Sequence, residues 1–189
     1  MIGSIPFGYL VGRLFYRTDI RRQGSGNIGA MNALRSLGKG GAVTVLLLDA
    51  LKGFVPALLA VAHSGPLGAI AAGGAVLGHC FTPWLGFRGG KGVATSFGAL
   101  FALCWPAGLV AVAGWIAGAA LTRYSSVGSM LGSVLAPFAV WFFTGSPAET
   151  LFAIFAAVLI LYTHRENIGR LRAGTEGPIR LSARKDFHA

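Results

Sequence analysis

Acidic residues are almost missing from this chain. Six of its 189 residues are Asp or Glu, against sixteen Lys or Arg, and charged residues together make up 12%. A water-soluble domain carries about a quarter charged residues. With 54% hydrophobic residues and a mean hydropathy of +0.66, lipid replaces water as the expected solvent. Cysteine is equally scarce. Cys80 and Cys104 lie in apolar segments with no CxxC and no His or carboxylate at metal-ligand spacing, so a disulfide framework and a metal centre are excluded and both read as structural thiols. Neither stands in a polar, cationic setting that would activate a thiolate. No GxSxG nucleophile elbow occurs, and none of His63, His79, His164 and His188 has an Asp five residues on. Residues 1–12 lack a basic leader, so no cleavable signal peptide is expected. No internal repeat, linker or low-complexity segment breaks the chain, which reads as a single membrane domain over 1–189 with a partly ordered polar tail over 175–189.

What is present is a series of apolar runs. Five are long enough to read as spans, 42–62, 67–87, 106–122, 127–144 and 148–163, and two are short or irregular, 2–16 and 93–105. The expected fold class is therefore all-α, a polytopic membrane helix bundle of about seven transmembrane segments. The net charge of +10 invites a nucleic-acid reading, but the basic residues fall in short clusters between apolar runs. Placing residues 17–39 in the cytoplasm and alternating sides brings fifteen of the sixteen Lys and Arg to one face, as the positive-inside rule requires. No nucleic-acid partner is expected. The exception is Lys52, mid-span and three residues after Asp49. The two share a helix face, either as a helix-locking ion pair or as a functional charge turned to the bundle interior.

Three polar islands collect on the cytoplasmic face. The first is "GSGNIGAMNALR", residues 24–35. Gly24, Gly26 and Gly29 spell GxGxxG with Asp49 twenty residues further on, yet no buried strand precedes them and Asp49 lies inside a span, so the dinucleotide fingerprint fails on context. Glycines do let backbone N–H groups converge on an anion. Ser25, Asn27 and Asn32 add neutral donors, and Arg35 supplies a planar cation that fits phosphate oxygens. A flexible polar loop is the plainer reading. The second island, "GFRGGKGVATS", sets Gly89, Gly90 and Gly92 around Lys91 at the start of a helix near Val93, which joins amides, a helix N-terminus and a cation. The third, "HRENIGRLRAGTE", follows the last span. Arg165, Arg170 and Arg172 suit lipid headgroups, while His164 and Asn167, three apart, share a face turned toward the loops.

Together with "GSIPFGYLVGRL" at residues 3–14, "LLLDALKG" at 46–53 and "GHCFTPWLGFRGGKGVATS" at 78–96, these islands resemble the acyl-phosphate-dependent glycerol-3-phosphate acyltransferases of bacteria over nearly the whole chain. Met31 departs from the family pattern, which usually has Thr there. The resemblance implies a seven-helix inner-membrane enzyme with its active-site loops and C-terminus cytoplasmic. It would move a fatty acyl group from acyl phosphate to the 1-hydroxyl of sn-glycerol 3-phosphate, giving lysophosphatidic acid and phosphate, with no metal or nucleotide cofactor. Acyl phosphate, glycerol 3-phosphate and membrane lipids are the implied partners, with a functional link to enzymes that supply acyl phosphate. By matching motifs, Ser25 and Arg35 would hold phosphate, Lys91 with the Gly89 and Gly90 amides would hold phosphate or developing charge, and His164 and Asn167 would orient substrate. Gly26, Asn27, Asn32 and Gly92 complete the expected binding set. The competing class is a small transporter of a phosphorylated solute. Against it, no inverted repeat is found and the polar groups gather on one face instead of lining a midplane path.

Overall fold

A computed structural model describes residues 1–179; of the tail expected to be partly ordered, residues 180–189 lie outside the described residues. Eight helices follow in order: α1 (Phe7–Tyr16), α2 (Ala30–Val61), α3 (Gly65–Cys80), α4 (Val93–Leu103), α5 (Trp105–Thr122), α6 (Ser125–Thr144), α7 (Pro147–Thr163) and α8 (Arg165–Arg172). The described residues contain no strand. Burial is inverted relative to a soluble protein. The interior is built largely from alanines, among them Ala57, Ala72, Ala99, Ala107, Ala111 and Ala136, whereas Leu121, Phe142, Phe138 and Ile70 are 84%, 80%, 72% and 70% exposed. An apolar surface so continuous is the lipid-facing side of an integral membrane protein.

The apolar segments α1 to α7 match the seven expected. By length and composition α2, α5 and α6 each suffice to cross a bilayer, and α7 with α8, bent by 54° at His164, count together as a fourth. The shortness expected of the first and fourth segments is present, at 10 residues in α1 and 11 in α4. The third is shorter than the 67–87 reading. It stops at Cys80 because Pro83 starts a 3₁₀ turn, Pro83–Leu85, and Gly86 leaves it in the left-handed region at φ 63°. The second is longer than the 42–62 reading. It begins at Ala30, with one break at Gly38, whose φ of 80° and ψ of −171° only glycine adopts readily.

Small residues permit the closest helix approaches. Gly114 and Gly118 on α5 face Gly132 and Gly128 on α6, so two GxxxG pairs bring these backbones together; a methyl group on any of the four would press on the partner helix. On α2 and α4, a methyl at Gly53 would overlap the Thr95 carbonyl and one at Gly98 the Ala50 carbonyl. α1 runs antiparallel to α2, with Phe7 beside Lys52 and Tyr16 beside Gly41. Ser64 and Ser146 cap α3 and α7 at one end of the bundle. The three polar islands meet at the other.

Candidate functional site

The first island is folded by one side chain. Asn32, 2% exposed in the first turn of α2, donates through Nδ2 to the carbonyls of Ile20 (2.8 Å), Asn27 (2.8 Å) and Gln23 (3.1 Å). Its Oδ1 accepts the Ser25 N–H at 2.9 Å. Gly24 and Gly26 take φ of 55° and 71° to turn the chain around it, and a side chain at Gly24 would collide with Asn32. Asn32 therefore has no donor left for a ligand, and the sequence reading of it as a binding donor is corrected to that of loop organiser. Asn27 Oδ1 is likewise committed, to the Gly29 N–H at 2.8 Å. Asp19 braces the loop's entry through Arg21, at 2.9 and 2.7 Å. The Arg21 hydrogen bond outweighs partial burial and holds its carboxyl down at about 2. Ser25 and Arg35 remain exposed, and neither side chain has a hydrogen-bond partner among the described residues.

The second island folds back on α3. Gly89 and Gly90 donate their N–H groups to the carbonyls of Cys80 and His79, each at 3.0 Å. Those amides are thus occupied, and the expectation that they grip phosphate is not met. The glycines are needed for a different reason, since a methyl at Gly89 would strike the His79 carbonyl and one at Gly90 its ring. The unoccupied amides lie one turn on. Gly92, with φ of 84°, begins α4, and its carbonyl accepts the Ser96 N–H at 2.8 Å. The first-turn N–H groups of Val93, Ala94 and Thr95 therefore have no intrahelical acceptor. They present the positive end of the α4 dipole beside Lys91.

Lys91 is the meeting point of the islands. Its Nζ donates to Asn167 Oδ1 and its carbonyl accepts the Thr163 hydroxyl at 3.1 Å. Asn167 donates onward to Glu176 Oε1 at 2.5 Å, which also accepts from Ser126 at 2.8 Å, while Glu176 Oε2 takes Arg170 Nε at 2.7 Å. Burial and then the charge of Arg170 lower the Lys91 ammonium to about 8; Glu176 and Glu166 oppose the shift, and Arg35 adds to it. His164, 3% exposed, is pushed down to about 4 by burial and by Lys91, and is neutral at ordinary pH. Its Nδ1 lies 2.8 Å from the Ile160 carbonyl, an acceptor only, so Nδ1 carries the proton and Nε2 is left as an acceptor. Burial works to raise Glu176, but hydrogen bonds from Asn167, Arg170 and Ser126 outweigh it and hold the carboxylate ionised. Between α4, α6 and α7 a small cavity of about 10 Å³ is lined by Ser96, Phe97, Ser133, Ala156 and Ile160 among others.

A cationic site over an apolar bundle now has a match. The family model described as glycerol-3-phosphate acyltransferase covers residues 1–174. The chain belongs to the glycerol-3-phosphate acyltransferase family. It is 48% identical to the glycerol-3-phosphate acyltransferase of Mesorhizobium japonicum, over 95% of this chain and 91% of the relative. With that of Brucella suis it shares 49%, over 95% and 89%. Among solved structures it resembles PlsY (YgiH), an integral membrane glycerol 3-phosphate acyltransferase. The TM-score is 0.90 at 38% identity for the glycerol 3-phosphate form, over 95% of this chain and 90% of that one. For the lysophosphatidic acid form it is 0.87 at 37%, over 95% and 91%.

In this acyltransferase, then, Lys91 bonds Asn167, three residues after buried His164, while Arg35 stands exposed in α2 and Ser25 in the loop before it. Glu176 and Ser126 escaped the sequence reading as organisers. The available signal was scarcity: Glu176 is one of six acids in the chain, set with Glu166 in a basic segment, where a carboxylate is expected to be paired. Met31, in the first turn of α2, is half-buried, and nothing in the structure explains its departure from Thr.

Proposed function

We propose that this acyltransferase moves a fatty acyl group from acyl phosphate to the 1-hydroxyl of sn-glycerol 3-phosphate, releasing lysophosphatidic acid and inorganic phosphate at the cytoplasmic face of a bacterial inner membrane. The observation that carries this reading is the network that joins Lys91 through Asn167 and Glu176 to Arg170 at the amino end of α4, above an apolar bundle. Both substrates bear a phosphate, and one bears a chain that must lie in lipid. Lys91 and the α4 amides suit the donor's phosphate, where negative charge grows as the acyl C–O bond breaks. Arg35 and the Ser25 hydroxyl suit the phosphate of the acceptor. The exposed apolar surface of the bundle, where Leu121, Phe138 and Phe142 face lipid, offers wall to the acyl chain.

No strong protein base is required. As the acceptor oxygen attacks the acyl carbon, the carbonyl–phosphate bond breaks, and the departing phosphate takes the hydroxyl proton. His164 Nε2, neutral and an acceptor, orients that hydroxyl, and Asn167 ties Lys91 to Glu176. Positioning and charge stabilisation then supply the rate. The gathering of Arg35, Lys91, Arg123 and Arg170 near one end of the bundle supports a cytoplasmic site by the positive-inside rule, and an enzyme that makes acyl phosphate must act upstream. The test is phosphate release from palmitoyl phosphate by purified protein in detergent. Release that depends on glycerol 3-phosphate is expected; release indifferent to it, or none from folded protein, would refute the reading.

A further inference from the structure

Inside the bundle, Asp49 and Lys52 of α2 meet His79 of α3 at 1%, 2% and 4% exposure. Lys52 Nζ lies 2.7 Å from Asp49 Oδ1 and donates to the Ile5 carbonyl at 2.8 Å. His79 Nδ1 stands 3.6 Å from the same Asp49 oxygen, beyond hydrogen-bond distance, and has no hydrogen-bond partner among the described residues. None of the three belongs to the phosphate-handling set. A buried ion pair is weak evidence for stability, since apolar replacements of similar volume often serve as well. Charge inside a membrane span is more often tied to function.

The other edge of the His79 ring faces the glycine loop. A methyl at Gly90 would land on Nε2, and the His79 and Cys80 carbonyls take the Gly90 and Gly89 N–H groups. The imidazole thus stands between the ion pair and the residue that precedes Lys91. Lys52, by bonding Asp49 and the Ile5 carbonyl together, fixes the N-terminal segment against α2 and holds the carboxylate that faces the ring.

We propose that His79, backed by the Asp49–Lys52 pair, is a positioning residue that sets the height of the Gly89–Gly90–Lys91 backbone and hence the place of the Lys91 ammonium relative to the amino end of α4. The proposal rests on the reading of Lys91 as the cation that serves the donor's phosphate. A displacement of about 1 Å at such a group costs on the order of 100-fold in rate. Ser25, on the loop braced by Asn32, and Arg35, in the part of α2 before the Gly38 break, stay where they are.

The experiment compares wild type, Lys91→Ala, His79→Ala, His79→Gln, Gly90→Ala and the Gly90→Ala/His79→Ala double variant, as full chains in detergent, by steady-state phosphate release and thermal midpoint. His79→Ala is expected to lower kcat by about tenfold or more while KM for glycerol 3-phosphate stays within about twofold. Gly90→Ala is expected to be inactive through collision with the ring, and the double variant to be more active than Gly90→Ala alone, a coupling that two independent defects would not produce. Should His79→Ala not purify as a monodisperse species, His79→Gln carries the same kcat reading. The positioning role is overturned by unimpaired His79 variants beside an inactive Lys91→Ala, by kcat, KM and thermal midpoint moving together, or by a double variant no better than Gly90→Ala. Wild-type activity in Lys91→Ala overturns instead the site reading beneath it.

Discussion

The two glycine-rich loops look alike in sequence and are built on different principles. In residues 24–29, Gly24 and Gly26 turn the chain through positive φ around the Asn32 side chain, leaving Ser25 exposed, with Arg35 exposed on the start of α2 that follows. In residues 86–92, Gly86, Phe87 and Gly92 turn the chain through positive φ, the last into α4, while Gly89 and Gly90 lie against the end of α3 with their amides committed to it. The first loop presents side chains. The second presents a helix end and one ammonium. Glycine content therefore marks where backbone approaches closely, without saying which amides are left to bind an anion.

Substitutions at the two islands are expected to separate by magnitude and by substrate. The largest effect is expected at Lys91. Removal of the cation at the α4 terminus in Lys91→Ala lowers kcat by about 100- to 1000-fold, the range for losing a stabiliser of developing charge, as measured by phosphate release. Arg35→Ala comes next, raising KM for glycerol 3-phosphate by about 10- to 100-fold, as fits the loss of charge-assisted hydrogen bonds, with a smaller change in kcat. Asn32→Ala acts on the first loop alone. It leaves the Ser25 N–H and buried carbonyls unpaired, at a cost of about 1–3 kcal/mol, read as a lowered thermal midpoint together with weaker glycerol 3-phosphate binding. The mildest difference is one of pH. Lys91 is charged below about 8 and loses its proton above it, so kcat/KM falls on the alkaline side through that value. In Lys91→Arg any remaining activity lacks this limb, because guanidinium keeps its charge.

The same contrast explains what was readable in the sequence. Hydropathy and the one-sided Lys and Arg placed seven apolar segments, including the short α1 and α4, because those signals depend on local composition. The α3 end was misplaced because the apolar run continues through Phe81, Trp84 and Leu85, while Pro83 and Gly86 end the helix within it. Lys91 and Asn167, read from charge and helical spacing, do meet in the fold, because those signals survive folding. The misassignments, Asn32 and the Gly89 and Gly90 amides, all concern where a hydrogen bond goes, and that is decided by carbonyls of Ile20, His79 and Cys80 which a linear reading cannot bring near. The Glu176 network was missed for the same reason, since Ser126 lies fifty residues away.

The proposed function has the two glycine-rich islands form one site and divide the two phosphates between them. Its most direct test is to measure KM for palmitoyl phosphate and for glycerol 3-phosphate separately in Arg35→Gln and Lys91→Gln, beside wild type, in one detergent preparation. Arg35→Gln is expected to raise the glycerol 3-phosphate KM and leave the donor KM nearly unchanged, whereas Lys91→Gln lowers kcat and weakens the donor. If both substitutions move the same KM, or if Arg35→Gln leaves both as in wild type, the division between the loops is wrong.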